Sequence, residues 1–152
     1  MDITTKLSKQ QLADILALWN AEYPAVIAFD DVNGLEAYLA GLQNPRHYLV
    51  LEAEKLVGWL CVMEREAQPW FIILLDASIQ GKGVGSSLMK KAMQNESILH
   101  GWVVIDSSYQ KASGEPYPSP WPFYQKLGFE LCPNITLEKG GIRSTMIRWE
   151  RG

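Results

Sequence analysis

The sequence predicts an α/β domain of the α+β type, in which about four helices flank a mixed, mostly antiparallel sheet. Three observations support this fold class. Helical and strand-like apolar patterns both occur, three strand segments follow one another across short turns, and a later strand, helix and strand succession requires one parallel pair. The 152 residues contain neither a repeat nor a long linker, so we predict a single domain over residues 1–152.

The first third of the chain is predicted to form one short strand and two helices. Ser8 with Gln11, and Asn33 with Glu36, have the spacing of a capping box, and apolar residues follow both pairs at helical intervals. Asn44-Pro45 is expected to stop the second helix. The predicted elements are a strand at residues 3–6, a first helix that ends before Pro24, and a second helix that ends before Pro45.

Three strands are predicted next, and together they form an antiparallel meander. They cover Tyr48 to Ala53, Leu56 to Glu64 and Trp70 to Leu75, with a polar turn at Glu54-Lys55 between the first two. The third strand is apolar at every position, which is typical of a strand that is covered on both faces. We therefore expect it to lie in the middle of the sheet.

The second half of the chain begins with a glycine-rich turn. An amphipathic helix follows this turn, and a short apolar strand follows the helix, so this strand and the Trp70 to Leu75 strand are expected to pair in parallel. The remaining predictions are a strand at 102–105, a long loop at 107–122, a short helix at 122–127 that ends at Gly128, and strands at 129–132 and 143–149.

Composition and charge exclude several classes of partner. The net charge is −3, and no basic patch indicates a nucleic acid partner. No apolar segment has the length of a signal peptide or a membrane span, so we expect a cytoplasmic protein without a membrane partner. Cys61 and Cys132 are expected to be buried thiols, and His47 and His100 lie far from both, so no metal site is predicted.

The glycine-rich turn is the strongest functional signal. Gln80 to Ser86 joins a predicted strand to a predicted helix, where unpaired amides attract phosphate oxygens. Glycine at positions 81, 83 and 85 permits close approach to the backbone. The Walker pattern and the dinucleotide fingerprint both fail, because Lys82 precedes glycine and Ser86 stands where the fingerprint requires glycine. The alternative is a tight turn without a ligand.

Two motifs together resemble those of the GCN5-related N-acetyltransferase (GNAT) superfamily. The turn has the Gln-x-x-Gly-x-Gly pattern of the superfamily's motif A, and residues 123–130, Phe-Tyr-Gln-Lys-Leu-Gly-Phe-Glu, resemble its motif B. The predicted element order is also that of the family, in which the two parallel strands splay apart. The resemblance implies a GNAT-like fold that uses acetyl-CoA as co-substrate.

The resemblance also assigns roles in cofactor binding. The pantetheine arm is expected to lie along the main chain of Leu74 and Leu75, and the Leu75 amide is expected to stabilise the oxyanion. Ser107 is the candidate for a polar contact that many members make through an asparagine. The pyrophosphate is expected to bind the turn residues Gln80, Gly81, Lys82, Gly83, Val84, Gly85 and Ser86.

The catalytic proton transfers are less completely assigned by the resemblance. Tyr124 matches the motif B tyrosine that protonates the departing thiolate in many members, and its alternative role is packing beneath the cofactor. The position of the glutamate base of histone-acetylating members is occupied by Pro69 or a neighbour. Glu66 is the nearby candidate for a base, and an exposed charge without a catalytic role is its alternative.

The implied activity is direct acetyl transfer to a primary amine in a ternary complex. The acceptor is not identified by the sequence, and either a monomer or a homodimer is compatible with it. Candidates for the wall of an acceptor pocket are Tyr109, Tyr117 and Trp121 of the long loop, together with Trp70 and the Phe29-Asp30-Asp31 segment. The alternative is that these are surface aromatics packed on their own loop. Because the expected glutamate is missing, a CoA-binding sensor or interaction domain with weak or no catalysis is the alternative.

Overall fold

The structure is a computed structural model that describes residues 2–106 and 108–152, and in these residues it contains seven strands and four α-helices. Two short 3-10 turns, Ala25–Ile27 and Ala77–Ile79, join some of them. The elements in chain order are β1 (Asp2–Thr4), α1 (Lys9–Glu22), α2 (Val32–Ala40), β2 (Gln43–Glu52), β3 (Lys55–Arg65), β4 (Gln68–Leu75), α3 (Val84–Asn95), β5 (Ile98–Val103), α4 (Trp121–Lys126), β6 (Glu130–Lys139) and β7 (Ile142–Glu150).

The strands form one sheet in the order β1-β2-β3-β4-β5-β7-β6. Neighbouring strands are antiparallel except β4 and β5, which are parallel. The predicted fold class is therefore confirmed, and the apolar strand β4 lies in the middle of the sheet as expected. The parallel pair is in register only where Trp70 faces His100, and no further pairing joins β4 to β5 in the described residues. The two strands thus leave a gap toward the end of β4.

Both faces of the sheet are covered, because alternate residues of the central strands point to opposite sides. Trp59 and Met63 of β3 join the cluster beneath α1 and α2, whereas Leu60 and Val62 join the cluster beneath α3 and α4. All four side chains are fully buried. This three-layer packing holds the end of β4 between the two groups of helices.

The helix starts show which capping predictions were right. The Ser8 hydroxyl accepts from the Gln11 amide at 3.1 Å and the Gln11 side chain accepts from the Ser8 amide at 2.8 Å, which confirms the capping box of α1. The Asn33 and Glu36 box was wrong. Helix α2 begins earlier, and the Asp31 carboxylate caps it by accepting from the Gly34 amide at 3.0 Å.

Asn44-Pro45 does not stop a helix, because it lies inside β2. Helix α2 has already ended at Ala40, so the predicted start of β2 at Tyr48 was five residues too late. A register shift between Gln43 and Arg46 accommodates the proline, which cannot donate a ladder hydrogen bond. On the other side, β1 reaches only residues 47–49, so Pro45 has no strand neighbour there.

Two later strands also differ from their predicted bounds. Strand β5 covers Ile98–Val103, not residues 102–105, because Gly101 interrupts the apolar pattern without interrupting the strand. A Cβ at Gly101 would lie 2.6 Å from the Phe71 ring, so this glycine allows the ring to pack across β5. Strand β6 continues to Lys139 beyond an irregularity between Cys132 and Thr136.

The two cysteines differ in burial. Cys61 is fully buried in β3 as predicted, but Cys132 is only half-buried, so the prediction of two buried thiols was wrong for Cys132. The regular pairing of β6 with β7 is interrupted directly after Cys132. In the described part of the chain, no helix is long and apolar enough to span a bilayer, and no group of three potential metal ligands is found.

A buried histidine makes the stability of the fold depend on pH. His47 is 3% exposed, and its Nδ1 accepts a hydrogen bond of 3.0 Å from Trp59 Nε1. Burial lowers the pKa of His47 from 6.5 to about 4. Between these two values the unfolded chain binds the proton more readily than the folded chain, so stability is present above pH 6.5 and is lost as pH falls toward 4.

We therefore expect the free energy of unfolding to fall by about 3 kcal/mol between pH 6.5 and pH 4 because of His47 alone. Urea unfolding at several pH values measures this change. His47→Gln keeps an acceptor for Trp59 and removes the titration, so its pH dependence should be flatter. Equal slopes for the two proteins in this pH range would show that His47 is not responsible.

Candidate functional site

The glycine-rich turn adopts a backbone that side chains disfavour. Gly81 and Gly83 have φ of +81° and +82°, in the left-handed region, and a Cβ at either position would meet no other atom within 4 Å. Both glycines are exposed, so the turn presents bare backbone to the solvent. Gly83 is the N-cap of α3. The turn therefore ends directly at the start of a helix.

The first amides of α3 are available to a ligand. Gly83 offers no side chain to cap them, and the amides of Val84, Gly85 and Ser86 donate to no acceptor in the part of the chain that the structure describes. Unpaired amides and the positive end of the helix dipole favour an anion at this point. This geometry agrees with the predicted phosphate-binding turn, whose ligand stays a prediction.

Gly85 has a different function from the other two glycines. A Cβ at Gly85 would lie 2.6 Å from Leu75 Cδ1 and 3.2 Å from Phe123 Cζ. The glycine thus allows α3 to pack closely against the end of β4 and against α4. The missing side chain of Gly85 therefore serves packing, whereas its backbone amide remains available to a ligand. The exposed backbone in the left-handed region is at Gly81 and Gly83.

The backbone at the end of β4 has one open side. The Asp76 amide donates to the Val57 carbonyl of β3 at 2.8 Å, and backbone groups in a strand alternate between the two sides. By this alternation the backbone N–H and C=O groups of Leu74 point toward β3, whereas those of Ile73 and Leu75 point toward the gap beside β5. The placement supports the prediction for Leu75. It argues against the Leu74 backbone as a partner of the pantetheine arm and indicates the Ile73 backbone instead. The sequence did not reveal Ile73, because the register of β4 against β3 decides which residues face the gap.

Gln80 connects the turn to this strand end. Its Nε2 donates to the Leu75 carbonyl at 3.1 Å, so the side chain occupies that carbonyl and leaves the Leu75 amide facing the gap. Asp76 is similarly engaged. Its carboxylate accepts from the Ser78 amide and hydroxyl at 2.9 and 2.6 Å, and these bonds lower the pKa of Asp76. Asp76 therefore stabilises the turn and is poorly suited to act as a base.

A cavity of about 560 Å³, here called the glycine-side cavity, runs from the turn to the gap in the sheet. The predicted residues Leu74, Leu75, Gln80, Gly81, Gly83, Gly85, Ser86 and Tyr124 all line it. Three lysines, Lys90, Lys111 and Lys126, also line the cavity, whereas Lys82 does not. The structure thus brings most of the predicted site together. Val84 does not line the cavity, and Ser107 lies outside the described residues.

A second cavity of about 630 Å³ lies against α1, α2 and the β6–β7 hairpin, and its walls are mostly aromatic and aliphatic. We call it the aromatic cavity. Its lining includes Trp19, Phe29 and Tyr38. Five residues line both cavities, so the two meet at the gap beside β4; these residues are Tyr23, Ile73, Trp102, Tyr117 and Tyr124. Two molecules bound in the two cavities would therefore meet at this junction.

Tyr124 lies at the junction on α4 and is 6% exposed. Its ring makes edge contacts with Phe71 and Phe129, which fix its position, and its hydroxyl makes no hydrogen bond in the described residues. Burial raises the pKa of Tyr124 well above its usual value, with a smaller contribution from Tyr117. The phenol is therefore protonated at neutral pH, as a proton donor must be.

Glu22 is a buried charge at the site that sequence reasoning missed. This last residue of α1 is 8% exposed, and its carboxylate accepts from Lys111 Nζ at 2.7 Å and from the Ala77 amide at 2.9 Å. These bonds join α1, the turn after β4 and the long loop. An acidic residue at a helix C-terminus opposes the helix dipole, so it needs such partners. The position of an acidic residue at the end of a predicted helix was therefore the sequence signal that could have identified Glu22.

The remaining candidates are only partly brought to the site. Glu66 lies exposed at the β3–β4 turn, at the opposite end of β4 from Leu75, and it lines neither cavity. This placement argues against Glu66 as the base. Tyr117 of the long loop lines both cavities as expected, whereas Tyr109 and Trp121 line neither. The Tyr109 hydroxyl instead accepts from the Arg143 amide at 3.0 Å.

Comparisons with known proteins support the same interpretation of the fold. A family model described as an acetyltransferase (GNAT) domain matches residues 44–131. No curated protein matches the sequence significantly. Protein smu.2055 from Streptococcus mutans has a similar structure, with a TM-score of 0.67 and 16% identity, covering 99% of each chain.

Two further solved structures have the same fold. An aminoglycoside 6'-N-acetyltransferase in complex with coenzyme A is 13% identical with a TM-score of 0.66, and the alignment covers 99% of this chain and 97% of that one. ElaA from Escherichia coli is 17% identical with a TM-score of 0.66, covering 99% and 100% of the two chains. At these identities the similarity shows the shared fold alone.

Proposed function

Because the chain belongs to the GNAT family of acetyltransferases, we propose that it transfers an acetyl group from acetyl-CoA directly to a primary amine. The observation that carries this proposal is the junction of the two cavities beside the open edge of β4. A ternary-complex transferase needs adjoining sites for its two substrates, with the reacting atoms held where the sites meet. The glycine-side cavity would hold acetyl-CoA, and the aromatic cavity would hold the amine.

Binding of acetyl-CoA would use backbone groups for the most part. The pyrophosphate would accept hydrogen bonds from the amides at the start of α3, with Lys90 and Lys126 near enough to the same cavity to supply positive charge. The pantetheine amides would pair with the Ile73 backbone across the gap, in the manner of an added strand, which leaves the Leu75 amide for the thioester because Gln80 occupies the Leu75 carbonyl. This part of the site needs no side-chain base.

The chemistry then requires three changes at the junction. The neutral amine nitrogen attacks the thioester carbonyl, the Leu75 amide donates to the oxyanion that forms, and the C–S bond breaks as the carbonyl reforms. Tyr124 would donate its proton to the departing thiolate, and the phenolate would then regain a proton from water. A water chain would remove the excess proton of the amine, because in the described structure no carboxylate of the site is both free and close to the junction.

Direct transfer is favoured over a covalent cysteine intermediate by the state of the thiols. Burial raises the pKa of Cys61 to about 12, so this thiol is protonated at neutral pH and is a poor nucleophile. Cys132 lies on β6, and neither cysteine lines either cavity. The thioester would therefore have no cysteine to attack it.

The test is a steady-state assay of free thiol release in which acetyl-CoA and the amine are both varied. We expect turnover that depends on both substrates, and double-reciprocal lines that intersect, as a ternary complex requires. Parallel lines would indicate a covalent acetyl-enzyme and contradict direct transfer. Binding of acetyl-CoA without turnover of any amine would favour the alternative of a CoA-binding sensor, which the absence of a glutamate at Pro69 supports.

A further inference from the structure

The charges of the aromatic cavity are of one sign. Arg65 and Lys139 line it, and no carboxylate does so among the described residues. The rest of the wall consists mainly of aromatic and aliphatic side chains, together with Ser144 and backbone. Such a cavity accommodates an apolar molecule and repels one that carries several positive charges. An amine that binds here must therefore carry little positive charge apart from the amino group that is acetylated.

Arg65 is the more buried of these two cations. It is half-buried at the end of β3, its Cζ lies 5.6 Å from the centre of the Trp70 ring, and it forms no ion pair with a carboxylate in the part of the chain described. Burial raises the pKa values of Tyr38 and Tyr23, and the Arg65 charge opposes part of this rise at both residues, so Arg65 acts on side chains along the cavity as far as the junction. A partly desolvated guanidinium whose contacts, Tyr38 and Trp70, are uncharged is a binding group for a carboxylate.

The distance between this cation and the reacting centre can be estimated from the strand. The guanidinium lies beside Trp70, and Ile73 at the junction is three residues further along β4. At about 3.3 Å per residue these levels are roughly 10 Å apart. An anion held by Arg65 would thus be at the opposite end of the acceptor from its amine.

We propose that the acceptor is a small amphipathic amine with an apolar body roughly 10 Å long and a carboxylate at its far end, which Arg65 binds. This inference rests on the proposed function, because it names the second substrate of the same site. Arg65 is then a specificity-determining residue. Polyamines and aminoglycoside-like polycations, by contrast, are poor substrates.

Three acceptors of equal chain length test the inference: 8-aminooctanoate, octylamine and 1,8-diaminooctane. They differ only in whether the far end is negative, neutral or positive. We expect kcat/KM to be highest for the carboxylate, by roughly ten- to a hundred-fold over octylamine, and lowest for the diamine. In Arg65→Gln the preference for the carboxylate over octylamine should disappear.

Two further variants make the test specific. Arg148→Gln removes an arginine that lines neither cavity, so it should leave the order of the three acceptors unchanged. Loss of the preference in Lys139→Gln with its retention in Arg65→Gln would overturn the role of Arg65. Turnover of other amines without a preference among these three would overturn the acceptor class and leave the transferase intact, whereas failure of every amine would contradict the proposed function itself.

Discussion

Tyr124→Phe is expected to lower kcat by roughly ten- to a thousand-fold and to leave the affinity for acetyl-CoA unchanged. The substitution removes one hydroxyl at the junction and keeps the ring that packs on Phe71 and Phe129. A phenol is ordinarily a weaker acid than a thiol, with pKa values of about 10 and about 8.5. Burial raises the pKa of the phenol as well as that of the thiol, so the proposed transfer depends on the geometry of the junction, which would hold the phenol against the departing sulfur.

The matched control is Tyr48→Phe. Tyr48 is buried to a similar degree in the same cluster, its hydroxyl accepts from Asn95 at 3.2 Å, and it lines neither cavity. We expect its kcat to equal that of the unmodified protein. If Tyr124→Phe also had unchanged kcat, then Tyr124 would be a packing residue and not the proton donor.

Gly83→Glu is expected to weaken acetyl-CoA binding by roughly a hundred-fold or more, since a like charge placed against an anion costs several kcal/mol. The new side chain would stand at the N-cap of α3, directly beside the free amides. A Cβ there meets no other atom within 4 Å, so the effect would come from the ligand site and not from a clash within the protein. Calorimetric titration with acetyl-CoA measures the change.

A second variant, Gly141→Glu, is the control for the backbone strain that Gly83→Glu introduces. Gly141 also has a φ of +82° and open space around it, but it lies in the turn between β6 and β7. Gly141→Glu should therefore cost a similar amount of stability and leave acetyl-CoA affinity intact. Equal affinities for Gly83→Glu and Gly141→Glu would mean that the glycine-rich turn does not bind the cofactor.

Features that depend on near neighbours in the chain could be predicted from the sequence. The capping box at Ser8, the central position of β4 and the parallel pairing of β4 with β5 follow from local patterns and connection rules. The start of α3 after Gly83 could also be predicted from neighbouring residues. The structure agrees with all of these, because the packing of the sheet reinforces the preferences of each segment.

Features set by register or by distant contacts could not be predicted. Which backbone groups of β4 face the gap depends on its pairing with β3, so Ile73 was missed and Leu74 was chosen. The Glu22 to Lys111 ion pair joins residues that are 89 positions apart. Arg65 likewise becomes notable only when the aromatic cavity forms around it.

The central claim is that the glycine-side cavity binds acetyl-CoA and delivers its thioester to the junction. The most direct measurement is a calorimetric titration of the purified protein with acetyl-CoA. The account predicts saturable binding at one site per chain, with competition by free CoA. Absence of binding under conditions in which the protein is folded would contradict the account, because the turn, the open strand edge and the cavity would then have no ligand.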